Sequence, residues 1–324
     1  MTWLVTGGAG YIGSHVVRAF LEAGIEPVVL DNLSSGITSF VPQGVPLVEA
    51  SVVDTDAVEA ALRDHGVEGV IHCAAFKYAG ESVKRPLHTY QQNVEGTRSV
   101  LAAMERAQVT RLVFSSSAGV YGTPDADVVT ELTPTAPQSP YGESKLIGEW
   151  LIRAQETALA ASDAPLRATS LRYFNVVGSS HADVYDASPH NLLPKVFAAI
   201  AAGRAPVIAG TDYPTADGTC VRDYVHVGDL AHSHVAAAQK LAADSELAKV
   251  YNLGSGSGTS VRQIMDAIVS ATGTDLRPLE GERRPGDPAS IVATGEAAAR
   301  DLDWSMRHDV TDMVESAWRS HPKD

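Results

Sequence analysis

The chain has 324 residues, 44% hydrophobic and 20% charged, enough to bury a large core as one big domain or two modest ones. Its formal net charge of −14 argues against a nucleic-acid or anionic-membrane surface as the main partner. Screening confines distant carboxylates to about 8 Å, so local arginines can still hold an anionic ligand.

Cys73 and Cys220 each stand alone, without metal-type spacing, which fits a reducing compartment better than a disulfide scaffold. No apolar run nears the roughly 18 residues that a membrane helix needs. The chain opens on strand-like "MTWLVTGG", and a cytoplasmic location is expected.

In chain order, "TWLVTG" (2–7) reads as a strand, followed by an amphipathic stretch from Ile12 to Ala23. Further strand-like runs are "PVVLDN" (27–32), "VPLVEA" (45–50), "GVIHCAA" (69–75), "RLVFSSS" (111–117) and "ATSLRYFN" (168–175). Helical patterning fills several gaps, notably 89–107. Short apolar strands alternating with helices predict an α/β fold: a doubly wound parallel sheet covered on both faces. Beyond Asn175 the alternation decays, and a smaller, irregular lobe is expected. The stretch 225–242 reads as another sheet-covering helix, so the two parts interleave: 1–175 with 225–252 in one, 176–224 and 253–324 in the other.

"GGAGYIG" sets Gly7, Gly10 and Gly13 between the first strand and a helix. Glycine there permits a tight turn and lets backbone N–H groups approach a pyrophosphate at the positive helix end. Alone, the pattern fits any glycine-rich turn. Asp31, closing the next strand, adds a carboxylate for an adenosine ribose, and no Lys or Arg occurs between Arg18 and Arg63 to neutralise a 2′-phosphate. NAD is favoured over NADP.

In "SPYGESK", Ser139 fits an N-cap and Pro140 the first helical position, placing Tyr141 and Lys145 one turn apart on one side. A free phenol has a pKa of about 10 and is a poor base at neutrality. A neighbouring ammonium and a cationic nicotinamide favour the phenolate; a fall of ~3 units needs about 4 kcal/mol. The bland alternative is a core-edge tyrosine with a solvated lysine. "FSSSAGVYG" weighs against it by ending a strand with Ser117 beside the same crevice.

With "DNLS", "AAFKYAGESV", "NVEGT", "RYFN", "DYPTADGTCVRDYVHVGDLA", "YNLG" and "RRPGD", these motifs follow the order seen in UDP-glucose 4-epimerases of the extended short-chain dehydrogenase/reductase superfamily. The chain resembles that family along nearly its whole length. The resemblance implies a Rossmann-type fold with a UDP-sugar lobe, and an isomerase with tightly bound NAD. Tyr141 would take the proton of the sugar's 4-hydroxyl, assisted by Ser117. Hydride would pass from C4 to NAD, and the 4-keto sugar would rotate and be reduced on its other face. Lys145 would bind the nicotinamide ribose and keep the phenol acidic. Gly7, Gly10, Tyr11, Ile12 and Gly13 would hold the pyrophosphate, and Asp31, Asn32, Ser51 and Val52 the adenosine. Ala74, Ala75, Lys77, Asn93, Ser115 and Phe174 match further cofactor positions. Ser117, Tyr141, Asn175, Asn191, Leu192, Arg222, Arg284, Asp287 and Ile291 match positions that hold the UDP-sugar; guanidinium forks suit a diphosphate.

Ser51, Gly119, Ala209 and Val176 depart from the usual family residues, though none removes a chemical group from the mechanism. Ile291 falls where a bulky tyrosine is associated with exclusion of N-acetyl groups, so UDP-glucose and UDP-galactose are the expected pair, with weak use of N-acetylated sugars. The rivals are a 4-epimerase of UDP-N-acetylhexosamines or UDP-pentoses and a non-catalytic NAD sensor. A 4,6-dehydratase would need a carboxylate pair that "SSSAG" lacks. No metal is expected; His15, His72, His181 and His226 read as unclustered and structural. Val100, Leu101, Met104, Ile147, Trp150 and Leu151 add apolar surface to two helices, which related enzymes pair into a homodimer.

Overall fold

Seven parallel strands form the main sheet in a computed structural model that describes residues 1–126, 128–283 and 288–322. They are β1 (Thr2–Thr6), β2 (Glu26–Asp31), β3 (Leu47–Glu49), β4 (Gly69–His72), β5 (Arg111–Ser117), β6 (Arg167–Tyr173) and the strand Val250–Leu253. From one edge the order is Val250–Leu253, β6, β5, β4, β1, β2, β3. The chain begins in mid-sheet, runs out through β2 and β3, then returns to β4 and runs the other way. That reversal opens a crevice at the carboxyl edge between β1 and β4.

The strands read as continuous apolar runs because both faces are covered. In β1, Trp3 and Val5 face one layer and Leu4 the other, all three fully buried. The first layer holds α1 (Tyr11–Glu22) and the helix Val227–Ala242, through residues such as Phe20, Leu230 and Ala237. The second holds the helices Thr55–Asp64, Gly96–Ala107 and Pro140–Leu159, through Val58, Val100, Met104 and Ile152. Val100, Leu101 and Met104 therefore belong to the core of the chain itself rather than to an outer apolar face.

The helix expected over 89–107 is present and widens once. Pro86–Tyr90 leads into one π-helical turn, Gln91–Glu95, before Gly96–Ala107 resumes α-geometry. Such wide turns commonly mark functional positions. Here the turn carries Asn93, whose side chain is buried and fully engaged, as described below.

Among the described residues the second lobe gathers three short sheets and the helices Leu192–Ala201, Val261–Thr272 and Val310–Ser320 around Leu193, Phe197, Ile264, Met265, Ile268, Met313 and Val314. Local chemistry fixes the ends of its helices. Ser260 and Gln263 form a capping box for Val261–Thr272, which stops at left-handed Gly273. Asp309 and Asp312 do the same at the start of Val310–Ser320. Among the described residues no helix is long and apolar enough to cross a membrane.

Candidate active site

β1 runs directly into Gly7, at φ 71°, where a side-chain carbon would come within 2.8 Å of the Ala74 nitrogen. At Gly13 a side chain would strike the Gly7 carbonyl. Gly10 opens α1 with no side chain to cap it, and the first turn holds no acidic residue. The glycines thus let the turn pack closely on Ala74 and on itself, and the uncapped first turn at Tyr11 and Ile12, which line the cavity, fits a pyrophosphate.

Asp31 is buried at the end of β2; its oxygens accept from the backbone N–H of Ala9 at 3.0 Å and of Leu33 at 2.9 Å. Burial raises its pKa while those two N–H groups oppose the shift. Asn32, exposed beside it, accepts from the Ser34 N–H at 3.1 Å. Ser51 accepts from the Val53 N–H at 3.4 Å, and Val52 packs beneath Gly96. Ala74 and Ala75 follow β4, half-buried, with the Ala74 N–H donating to Thr6 Oγ1 at 3.3 Å.

Asn93 accepts from the Phe76 N–H at 2.7 Å, and its amide donates to the Phe76 carbonyl at 3.1 Å and Ser144 Oγ at 2.8 Å. It ties the segment after β4 to the Pro140–Leu159 helix. Exposed Lys77 lies in that segment, its Nζ 5.7 Å from the Tyr78 ring centroid.

The Pro140–Leu159 helix begins as its sequence predicts: Ser139 Oγ accepts from the Gly142 N–H at 3.2 Å and Pro140 takes the first position. Tyr141 N–H donates to Ser82 Oγ at 3.1 Å, fixing the entry of the helix. Ser117, at the end of β5, accepts from the Gly119 N–H at 3.1 Å and lies with the Tyr141 ring beside Gly119. A Cβ at Gly119 would make ordinary contacts, 3.4 Å from Ser117 Oγ and 3.8 Å from Tyr141 Cδ1.

Lys145 is buried, its Nζ donating to the Ser115 carbonyl at 2.7 Å and lying 4.9 Å from the Phe114 ring centroid. Burial pushes its pKa down to about 8, against the influence of Cys73 and Glu149. Burial raises the Tyr141 pKa, and the hydrogen bond from Ser117 only moderates the rise. One of the three N–H donors of the ammonium is used by the Ser115 carbonyl.

A cavity of about 360 Å³ lies between the sheet edge and the second lobe. It brings together Tyr11, Ile12, Lys77 and Phe174 from the cofactor set with Asn175, Asn191, Leu192 and Arg222 from the sugar-nucleotide set. Asn191 precedes the Leu192–Ala201 helix and donates to Asp186 Oδ2 at 2.7 Å. Arg222 Nη1 donates to the Val221 carbonyl at 2.8 Å. Ile291 is half-buried in a short parallel strand, registered against Arg222, and is absent from the cavity wall. Arg284 and Asp287 lie outside the described residues.

Sequence reasoning passed over Tyr173, Asp186 and His234. Tyr173 lines the cavity and stands opposite Ser117 in the β5–β6 register; strand alignment through "FSSS" and "RYFN" was the available signal. Tyr11 also does more than line a turn: its hydroxyl donates to the Gly178 carbonyl at 2.6 Å, across to the second lobe. The histidines are scattered in sequence but not in space, since His15 lies 5.6 Å from His181 and His226 stacks on His308 at 4.0 Å, centroid to centroid.

Residues 3–254 match the model of the NAD dependent epimerase/dehydratase family. The chain belongs to that family. Among its relatives, the UDP-glucose 4-epimerase of Azospirillum brasilense is 41% identical over 315 residues, covering 96% of this chain and 89% of that protein. The UDP-glucose 4-epimerase of Brucella ovis, crystallised in complex with NAD, superposes with a TM-score of 0.91 at 36% identity, covering 98% of each chain. That of Bifidobacterium longum, in complex with NAD+ and UDP, gives 0.89 at 36% identity, covering 99% of this chain and 98% of that one. The family match ends near the strand Val250–Leu253, whereas the likeness to the solved structures continues through the second lobe.

Proposed function

We propose that this protein is an isomerase that interconverts UDP-glucose and UDP-galactose by inverting C4 of the sugar, with NAD held through turnover. The observation that carries the reading is that Ser117 and Tyr141 converge on Gly119, in a chain that also has an uncapped glycine cradle and a cavity edged by Arg222. The relatives crystallised with NAD, and with NAD+ and UDP, support the assignment of both ligands. The cradle at Gly7, Gly10 and Gly13 would hold the pyrophosphate, Asp31 the ribose hydroxyls, and Asn93 would keep the wall beside the nicotinamide in place. NAD supplies the chemistry of accepting a hydride from C4 and returning it.

In the forward half, Tyr141 Oη takes the 4-hydroxyl proton as C4 loses hydride, leaving a ketone. Ser117 hydrogen-bonds the same oxygen. Arg222, with Asn175, Asn191 and Leu192, anchors the nucleotide end while the sugar turns. Tyr141 then returns its proton to the oxygen on the opposite face, so neither protons nor electrons accumulate. Ile291 would bias the site against N-acetylated sugars through its neighbour Arg222. Residues 1–175 with 225–252 would form the cofactor half, and 176–224 with 253–324 the substrate half.

A cytoplasmic homodimer completes the reading. Trp150, 51% exposed on the Pro140–Leu159 helix, and Leu87, 83% exposed on the neighbouring Pro86–Tyr90 helix, offer the apolar contact. Light scattering at micromolar concentration should give twice the chain mass, and a monomer would refute the pairing.

The deciding experiment is to incubate purified protein with UDP-galactose without added cofactor and analyse the sugar. UDP-glucose should appear, and denatured protein should release NAD. Release of NADP, or no turnover even with added NAD, overturns the proposal. Faster conversion of UDP-N-acetylgalactosamine or a UDP-pentose would favour the neighbouring epimerase reading.

A further inference from the structure

Asp223 sits between two short strands, Val221–Arg222 and Tyr224–His226, and its carboxylate is fully buried. Both oxygens accept from the Ser255 N–H, Oδ1 at 2.9 Å and Oδ2 at 3.0 Å, and Oδ2 also accepts from the Ala293 N–H at 3.1 Å. Its main chain is equally engaged. The Asp223 N–H donates to the Ile291 carbonyl at 3.2 Å, and the Asp223 carbonyl accepts from the Asn175 N–H at 3.1 Å. One residue thus ties together the backbone at Asn175, Arg222 and Ile291, which the reading above assigns to the sugar nucleotide.

The strand that carries Arg222 is too short to hold itself. Val221–Arg222 is two residues long and lies between Thr259–Ser260, antiparallel, and Ser290–Ile291, parallel, each also two residues long. A ladder of that length has few bonds, so its register depends on what is fastened to its ends. Asp223 fastens one end to two separate segments. Ser255 follows the edge strand of the main sheet, Val250–Leu253, and Ala293 follows Ile291. Gly254 lets these groups approach: a Cβ there would fall 2.4 Å from the Ala293 carbonyl oxygen and 2.7 Å from Asp223 Oδ2.

We propose that Asp223 is a positioning residue for substrate binding: by fastening the end of the Val221–Arg222 strand to the sheet edge and to Ala293, it holds Arg222 where it borders the cavity. The inference rests on the proposed role of Arg222 as an anchor of the nucleotide end. A guanidinium fork binds a diphosphate well only at a fixed distance and angle, so a loose strand would forfeit the contact. A carboxylate suits the task because it only accepts, and so gathers backbone N–H groups from several segments at once. Buried N–H groups without an acceptor are costly, so carboxylate and donors hold one another in place.

Asp223→Asn keeps the size and tests the hydrogen bonds alone. Both carboxylate oxygens bond the Ser255 N–H, so whichever way the amide turns, its NH2 group meets a donor. The variant should raise the Kd of UDP and the KM for UDP-galactose about tenfold, with kcat within about twofold and NAD content unchanged. Added to Arg222→Leu, it should weaken UDP binding by less than the product of the two single effects, because both act on one contact. Gly254→Ala, which crowds the Ala293 carbonyl and Asp223 Oδ2 without altering the carboxylate, should give the same split and replaces Asp223→Asn if that variant does not fold. Unchanged UDP affinity, a loss carried by kcat or bound NAD instead, or independent effects in the double variant overturns the proposal. A wild type that binds UDP without turnover would overturn the epimerase reading, and UDP affinity in the variants would still decide for or against Asp223.

Discussion

On the sheet side of the crevice the polar groups are buried and already engaged before any ligand is considered: Asp31, Asn93, Ser115 and Lys145 all hold fixed protein partners. On the lobe side, Asn175 and Asn191 are exposed, Arg222 and Leu192 are half-buried, and all four border an open cavity. The first arrangement suits a group that stays put, because its donors and acceptors need no reorganisation. The second suits a ligand that must enter, turn and leave, because contacts at a solvated wall can be exchanged at low cost. The contrast predicts that damage to the two sides will show up in different kinetic constants.

The largest effect belongs to the sheet side. Tyr141→Phe should lower kcat by about 10²–10⁴-fold while changing UDP-sugar affinity only a few-fold, since it removes the base and little surface. Near-normal turnover in that variant would remove Tyr141 from the chemistry. On the lobe side, Arg222→Leu should raise KM by about 10–100-fold, the scale of a lost hydrogen bond to a charged group, with kcat and bound NAD nearly intact. If that variant instead loses its NAD, the two sides are not separable in the way described.

A pH experiment sharpens the comparison by probing the seam. His15 and His226 join α1 and the strand Tyr224–His226 to Ser179 and Ser316, and His72 and His234 lie within the sheet layers. Burial lowers their pKa values from 6.5 to about 3 for His15 and His72 and to about 4 for His226 and His234. Below pH 6.5 the unfolded chain takes up protons that the folded chain refuses, so stability falls with pH until the folded values are reached. Each histidine should remove roughly 1 kcal/mol per pH unit in that window. A Tm that stays flat from pH 7 to pH 5 would refute neutral burial at both places.

The smallest effect concerns Ile291. Because it borders Arg222 without forming the cavity wall, Ile291→Tyr and Ile291→Ala should move the kcat/KM ratio of UDP-galactose to UDP-N-acetylgalactosamine only several-fold in opposite directions, within the about 1–3 kcal/mol of overpacking. An unchanged ratio in both variants would mean that the strand simply pairs.

What could be read from the sequence was local. The sheet strands, the glycine cradle and the Ser139–Pro140 helix start depend on residues a few positions apart, and each was visible as a pattern. The π-helical turn within the 89–107 helix was not, because Asn93 answers to Phe76 and Ser144, far away in the chain. The partner of Lys145 was hidden for the same reason: helix spacing put it near Tyr141, but only the folded β5 shows the Ser115 carbonyl claiming its ammonium. Val100, Leu101 and Met104 were ambiguous between core and interface because periodicity alone cannot say which apolar stripe meets the sheet. The Ser115–His234 contact spans 119 positions, beyond any sequence motif.

The hydroxyl of Tyr11 ends on Gly178, and Arg18, two turns further along the same helix, meets Asp183 at 2.6 Å, with His15 between them reaching Ser179. One face of the cofactor helix is thus the docking plate for the loop that begins the second lobe. Anyone grafting a substrate lobe from a relative, in order to change which sugar is accepted, would have to transplant this face of α1 as well. A chimera joined cleanly at residue 175 would carry a foreign loop against Tyr11, His15 and Arg18. Its first fault would be a cradle pulled out of shape, seen as lost cofactor rather than altered sugar preference.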